Sequence, residues 1–298
     1  MSTIEKALGN QQPRAEKPVE TVVPAPRSNA FQDENAQVDI PFEALHAKGY
    51  LTPSMPRSTT AEEFRAIKRP LLKNISGKSA ARIENANLIM VTSALAGDGK
   101  TFSSVNLAMS IAMEQDKTVL FIDADVHKAS AGRALGITDD TPGLIDILMG
   151  DSNPEDVILR TSIKNLRVMP AGTRHEKATE LLASEKMFLL MQELASRYTD
   201  RVIIFDSPPL LLTNESGVLA SFMGQIVFVA AANQTPQLAV QEALERIGKD
   251  KMVAMMLNKT PRGRFKLFGS GYGSGYGYGY GVGHRLDPDV TYNEKPNR

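Results

Sequence analysis

Beyond residue 87 the chain alternates between short apolar runs and stretches in which apolar residues recur at every third or fourth position. The runs 88–93, 118–122, 166–169, 201–205, 225–230 and 252–257 have little polar interruption, so they read as strands buried on both faces rather than as half-exposed ribbons. The stretches 102–113, 141–148, 179–198 and 236–247 read as helices; in the third, Leu181, Leu182, Met187, Leu190, Met191 and Leu194 keep helical spacing. Strands and helices in alternation predict a doubly wound α/β domain on a mostly parallel sheet.

The pattern fails at both ends. Residues 1–57 are rich in Pro, Gln, Asn, Glu and Ala, and Pro13, Pro18, Pro24, Pro26, Pro41, Pro53 and Pro56 interrupt any helical period, which predicts a flexible arm. Its first residues, with Ile4 and Leu8 on one side, fit a frayed terminus or a docking peptide. The segment from Ser58 to Glu62 has the Ser/Thr-then-Glu pattern of a helix start, so the folded domain is expected over 58–262. Residues 263–298 read as a disordered tail: Tyr272, Tyr276, Tyr278 and Tyr280 are strung on glycine and serine, with Tyr292 further on. With no core to bury them, these phenols are left exposed and easily threaded into a pocket, as a substrate peptide would be.

Composition narrows the chemistry. At 298 residues and 42% hydrophobic, one sizeable core is affordable, and Lys+Arg and Asp+Glu balance at 34 each, so no global field favours nucleic acid. The absence of cysteine removes disulfides, thiolate metal sites and thiol nucleophiles, and His46, His127, His175 and His284 have no ligand spacing. No apolar stretch reaches the roughly 18 to 20 residues of a membrane helix. The chain is therefore expected to be cytoplasmic, meeting a membrane only through a partner.

Between the first strand and the first long helix lies Ala94-Leu-Ala96-Gly97-Asp98-Gly99-Lys100-Thr101, a phosphate loop in its required context, with Ala94 where the usual pattern begins with Gly. Backbone amides from Ala96 through Gly97, Asp98, Gly99, Lys100, Thr101 and Phe102 are placed to meet nucleotide phosphates. Lys100 would reach the outer oxygens and Thr101 would offer its hydroxyl to Mg²⁺. Parallel sheets bind ligands beyond the carboxyl ends of their strands, where this chain places Asp123, Asp125 and Asp206. Thr101, Asp125 and Asp206 are assigned to the metal, directly or through water, because Mg²⁺ takes hard oxygen donors. Asp123 is assigned to the incoming nucleophile; a carboxylate is a weak base for a phenol, but phosphoryl transfer asks for little early deprotonation.

These motifs, with Phe121-Ile-Asp-Ala-Asp125 and Ile204-Phe-Asp-Ser-Pro-Pro209, resemble those of the bacterial tyrosine kinases, P-loop enzymes whose fold is of the MinD/ParA type. The longer phrases 63–70, 179–184 and 200–213 resemble a narrower group, the tyrosine autokinases of exosortase-linked exopolysaccharide loci. The resemblance implies a protein-tyrosine autokinase that transfers the ATP γ-phosphate, with Mg²⁺, to its own tail tyrosines and regulates exopolysaccharide synthesis and export. It also implies a membrane polysaccharide co-polymerase, or chain-length determinant, as activator, a cognate tyrosine phosphatase, peripheral attachment at the inner membrane, and assembly into a homo-oligomer, in some members a ring. The ring motif ExxRxxR corresponds to Glu62, Arg65 and Lys68, with Arg69 adjacent; Lys in the last place cannot reproduce the paired hydrogen bonds of Arg. Asn258 fits the family's adenine-side Asn, whereas Val126-His127-Lys128 departs from the family's usual basic pair and leaves the role of His127 open.

Two other readings stay open. A ParA- or MinD-like ATPase switch would share the sheet, loop and acids, although Leu95 holds the position of its signature lysine and a Gly-Tyr tail has no use in it. A non-enzymatic scaffold with a sticky aromatic tail is the other.

Overall fold

The computed structural model describes residues 37–79, 82–197 and 201–261; the tail tyrosines and residues 1–36 lie outside them. In chain order the elements are β1 (Gln37–Val38), α1 (Phe42–Ala47), α2 (Thr59–Ile75), β2 (Leu88–Ser93), α3 (Lys100–Ala112), β3 (Thr118–Asp123), α4 (Ser130–Ala134), α5 (Leu144–Met149) and α6 (Pro154–Val157). There follow β4 (Leu159–Thr161), β5 (Leu166–Met169), α7 (Ala178–Leu182), α8 (Glu185–Arg197), β6 (Arg201–Asp206), α9 (Glu215–Phe222), β7 (Gln225–Ala231), α10 (Gln237–Ile247) and β8 (Met252–Asn258).

The strands form one sheet in the order β1-β4-β5-β3-β6-β2-β7-β8. Every pairing is parallel except β4 with β5. Its central strands are apolar on both sides because each side faces its own core. Leu88, Met90, Leu120, Ile122, Ile203 and Phe205 point into one layer, and Ile89, Val91, Val119, Phe121, Val202 and Ile204 into the other. That is the doubly wound α/β fold of P-loop nucleotide-binding proteins, and it explains why period-2 polarity was missing from these strands.

The predicted arm is shorter than expected. Residues 37–57 belong to the domain: β1 pairs with β4, and Ile40, Leu45 and Leu51 are buried in the second core. Prolines misled because they serve as punctuation here, Pro41 standing directly before α1. The apolar anchors between them are too widely spaced to give a period. A second difference is the break in the predicted 179–198 helix. The Ser184 hydroxyl accepts from the Met187 amide (3.3 Å) and starts α8 as a new helix after α7.

Helix α2 begins at Ser58, whose side chain accepts from the Ala61 amide. It packs Ala61, Phe64, Lys68 and Leu71 inward and keeps Pro70 on its exposed face. Its far end is tied to the sheet by a buried glutamine. Gln225, at the start of β7, donates from Nε2 to the carbonyls of Ala86 (2.6 Å) and Leu71 (3.3 Å). Its Oε1 accepts from Asn74 (2.7 Å).

Candidate active site

The loop from β2 to α3 turns on two left-handed glycines, Gly97 (φ 92°) and Gly99 (φ 96°). At Gly99 a side chain is excluded twice over, by that backbone and by the Asn258 amide, with which a Cβ would collide. Asn258 ends β8 and donates from Nδ2 to the Asp98 carbonyl (2.9 Å), so the expected adenine-side residue also braces the loop. The Asp98 side chain is turned inward. It accepts from the Leu95 amide (3.2 Å) and from the Thr235 hydroxyl (2.7 Å), and only its backbone is left to meet a phosphate.

A cavity of about 560 Å³ opens beside this loop, lined by Ala96, Gly97, Gly99, Lys100, Thr101 and Asp125. Lys48, Tyr50, His127, Lys128, Ser130 and Arg133 also line it, together with Pro208, Pro209 and Leu212. Lys100 is buried and forms an ion pair with Asp125 inside it. Burial opposes the ammonium's charge, but Asp206, Asp125 and Asp123 together outweigh it and hold its pKa above the ordinary lysine value.

Asp123 and Asp206 are register partners on adjacent strands and both are fully buried. Burial first, then the neighbouring Asp206, pushes Asp123 up to about 8, against the amides that bond it. Those amides come from Ala131 (3.1 Å) and Gly132 (3.0 Å), in the first turn of α4, and from Asp125 (3.2 Å). Asp123, like Asp206, is absent from the cavity lining; its carboxylate holds the first turn of α4, and Asp125 is the acid presented to the cavity. Burial pushes Asp206 up to about 6, against the pull of Lys100 and the hydroxyls of Thr101 and Ser104. The Thr101 hydroxyl also shares a hydrogen bond with that of Ser130 (2.9 Å), and Ser104 donates to the Thr101 carbonyl (3.0 Å). Neither oxygen of Asp206 has a partner.

Two expected oligomerisation residues turn back on their own chain. The Lys68 ammonium is buried against α3, donating to the Ser110 carbonyl (2.6 Å) and pairing with Glu114. Arg65 pairs with Glu62. Glu62 and Arg69 stay on the exposed face of α2. His127 reaches the cavity and lies 3.4 Å from the Thr179 hydroxyl. Sequence reasoning missed Lys48, Tyr50, Ser130 and Arg133, for which no local motif exists. The Pro208-Pro209 pair was visible only as a strand terminator.

A glycine loop, a buried lysine and strand-end acids at the carboxyl edge of a parallel sheet define a P-loop nucleotide-binding domain. A family model described as "AAA domain" matches residues 86–246. The tyrosine-protein kinase YwqD of Bacillus subtilis is 30% identical over 216 residues, 72% of this chain and 87% of that one. The putative tyrosine-protein kinase EpsB of Ralstonia nicotianae is 28% identical over 216 residues, but the match spans only 27% of its length. Among solved structures, the kinase domain of Escherichia coli tyrosine kinase ETK aligns with TM-score 0.63 at 25% identity, covering 85% of this chain and 89% of that one. The chain belongs to the bacterial tyrosine-kinase family, and it is an ATP-binding protein-tyrosine kinase.

Proposed function

We propose that this kinase phosphorylates its own C-terminal tyrosines, Tyr272, Tyr276, Tyr278, Tyr280 and Tyr292. The observation that carries the reading is the cavity running on past Lys100 and Asp125, beyond what the phosphate loop occupies, in a chain that ends in a glycine-strung series of phenols. ATP enters with its phosphates on the loop amides. Lys100 leaves Asp125 for the outer phosphate oxygens. The phenol oxygen then bonds to the γ-phosphorus as the bond to the β–γ bridging oxygen breaks, the phenol proton passes to Asp125, which takes the role expected of Asp123 and leaves the metal to Thr101 and Asp206, and ADP departs.

The donor set fits Mg²⁺. Asp206 offers two unpartnered oxygens beside the Thr101 hydroxyl. Among the described residues no three His, Asp or Glu side chains could hold a metal unaided, so the ion would complete its shell from nucleotide and water. Bound there, it would offset the charge that gathers on the phosphates during transfer.

The biological setting we propose rests on the resemblance of sequence phrases rather than on geometry. It comprises regulation of exopolysaccharide synthesis and export at an exosortase-linked locus, a membrane co-polymerase as activator, a cognate phosphatase, and a homo-oligomer at the inner membrane surface. Among the described residues no helix is long and apolar enough to cross a membrane. Leu95, packed against the first core, supplies no signature lysine for an ATPase switch.

With Mg²⁺ and ATP the purified full chain is expected to gain one or more phosphates on the tail tyrosines by intact mass, and Lys100→Met none. ATP hydrolysis without added mass would replace this reading with the switch. Mixing full-length Lys100→Met with enzyme truncated after residue 261 separates the routes, since phosphate on the mutant requires transfer between molecules.

A further inference from the structure

The cavity has one wall that lies outside the matched residues 86–246. After α1, Gly49 adopts a left-handed turn (φ 81°) that reverses the chain, and the Tyr50 amide donates back to the Leu45 carbonyl (3.0 Å). The next amide, Leu51, donates to the buried side chain of Asn106 in α3 (2.6 Å). Tyr50 is thus pinned on both sides. Its ring rests on Phe102 (centroids 4.8 Å, interplanar 57°), which meets Phe64 of α2 edge-on at 6.3 Å.

The position of this wall says which substrate it serves. The cavity follows the loop along Ala96, Gly97, Gly99, Lys100 and Thr101 and continues past Asp125 to Tyr50, while Asp98, Thr235 and Asn258 stay outside its lining. Space there is left for the group that attacks phosphorus. Burial, and then the Asp206 carboxylate, raise the Tyr50 phenol above its ordinary pKa, so it stays a neutral ring in the wall. Tyr50 is suited to hold a ring rather than to compete with one.

We propose that Tyr50 is a positioning residue for the acceptor, its ring on Phe102 forming with Pro208, Pro209 and Leu212 an apolar slot that receives the incoming tyrosine side chain. This rests on the kinase taking tail tyrosines as acceptors. Offset or tilted ring contacts of this kind favour an aromatic acceptor over the smaller side chains of Ser or Thr.

The test uses the full chain with Tyr272, Tyr276, Tyr278, Tyr280 and Tyr292 changed to Phe, and a synthetic peptide of residues 269–281 as acceptor. Tyr50→Ala is expected to raise the peptide KM about tenfold with kcat little changed, while the Kd for ADP stays within about twofold. Tyr50→Phe is expected to return KM to within about twofold of the parent. Tyr50→Leu, which fills space without a ring, should keep KM raised while ADP affinity reports an intact fold. An unchanged KM in Tyr50→Ala overturns the proposal, as does a parallel loss of ADP affinity or phosphate found on Tyr50 itself. A parent that binds ADP yet never labels the peptide would remove the tail-acceptor reading, and the slot with it.

Discussion

Asp123 and Asp206 face each other across adjacent strands with their carboxyls pushed up to about 8 and about 6. An unfolded aspartate ionises near 4. Between that value and the folded ones the native state holds protons that the unfolded chain has released, so stability falls as pH rises through this window. The empty enzyme is therefore expected to gain stability on acidification from pH 8 to pH 6. Asp206→Asn, which removes the unpartnered carboxylate, should flatten that slope and raise stability at pH 8 by on the order of 1–2 kcal/mol, while abolishing transfer. Urea midpoints at the two pH values measure it, and a variant that titrates like the parent would refute the assignment. At this scale the chemistry was legible but its geometry was not. The phosphate loop and the three acids stood out because few backbones need them. That Asp98 braces Thr235, that Asp123 caps α4, and that Lys68 turns in against α3 depend on which way each side chain turns, which spacing does not encode.

The elements were readable where burial is two-sided. Strands β2, β3, β6 and β7 are long apolar runs, and nothing else in a chain of this kind looks like them. Short elements held by distant partners were not readable: β1 is two residues long, and β4, with which it pairs, lies about 120 residues away. The same logic predicts how the 37–57 segment comes loose. Asn106→Ala strips the partner from the buried Leu51 amide at a cost of about 1–3 kcal/mol, and hydrogen exchange should quicken across 37–57 before it does in the sheet. Uniform protection would show that the other contacts suffice. On α2, Lys68→Met replaces an inward ammonium with a similar apolar volume, so stability should change by no more than about 1 kcal/mol and the sedimentation coefficient not at all. A shift in oligomeric state would return Lys68 to the assembly interface.

At the scale of the whole molecule, charge balance and the lack of cysteine excluded partners and chemistries without naming any. The doubly wound sheet then concentrates every assigned catalytic group at one edge. What joins that edge to the opposite one is β7. It begins at Gln225, clasped by α2, and ends at Ala231, whose amide donates to the Thr235 hydroxyl (2.8 Å), the same hydroxyl that bonds Asp98 in the phosphate loop. Gln225→Leu is expected to weaken ADP binding severalfold without touching nucleotide, read by calorimetry against an unaltered parent sheet in circular dichroism. Equal affinity would mean that the two ends are independent. Seven residues of strand span about 23 Å, which makes β7 a strut with a helix bolted to one end and the loop to the other. A load on α2 would then reach the phosphate loop from the far side of the molecule, the coupling that the Gln225→Leu variant measures.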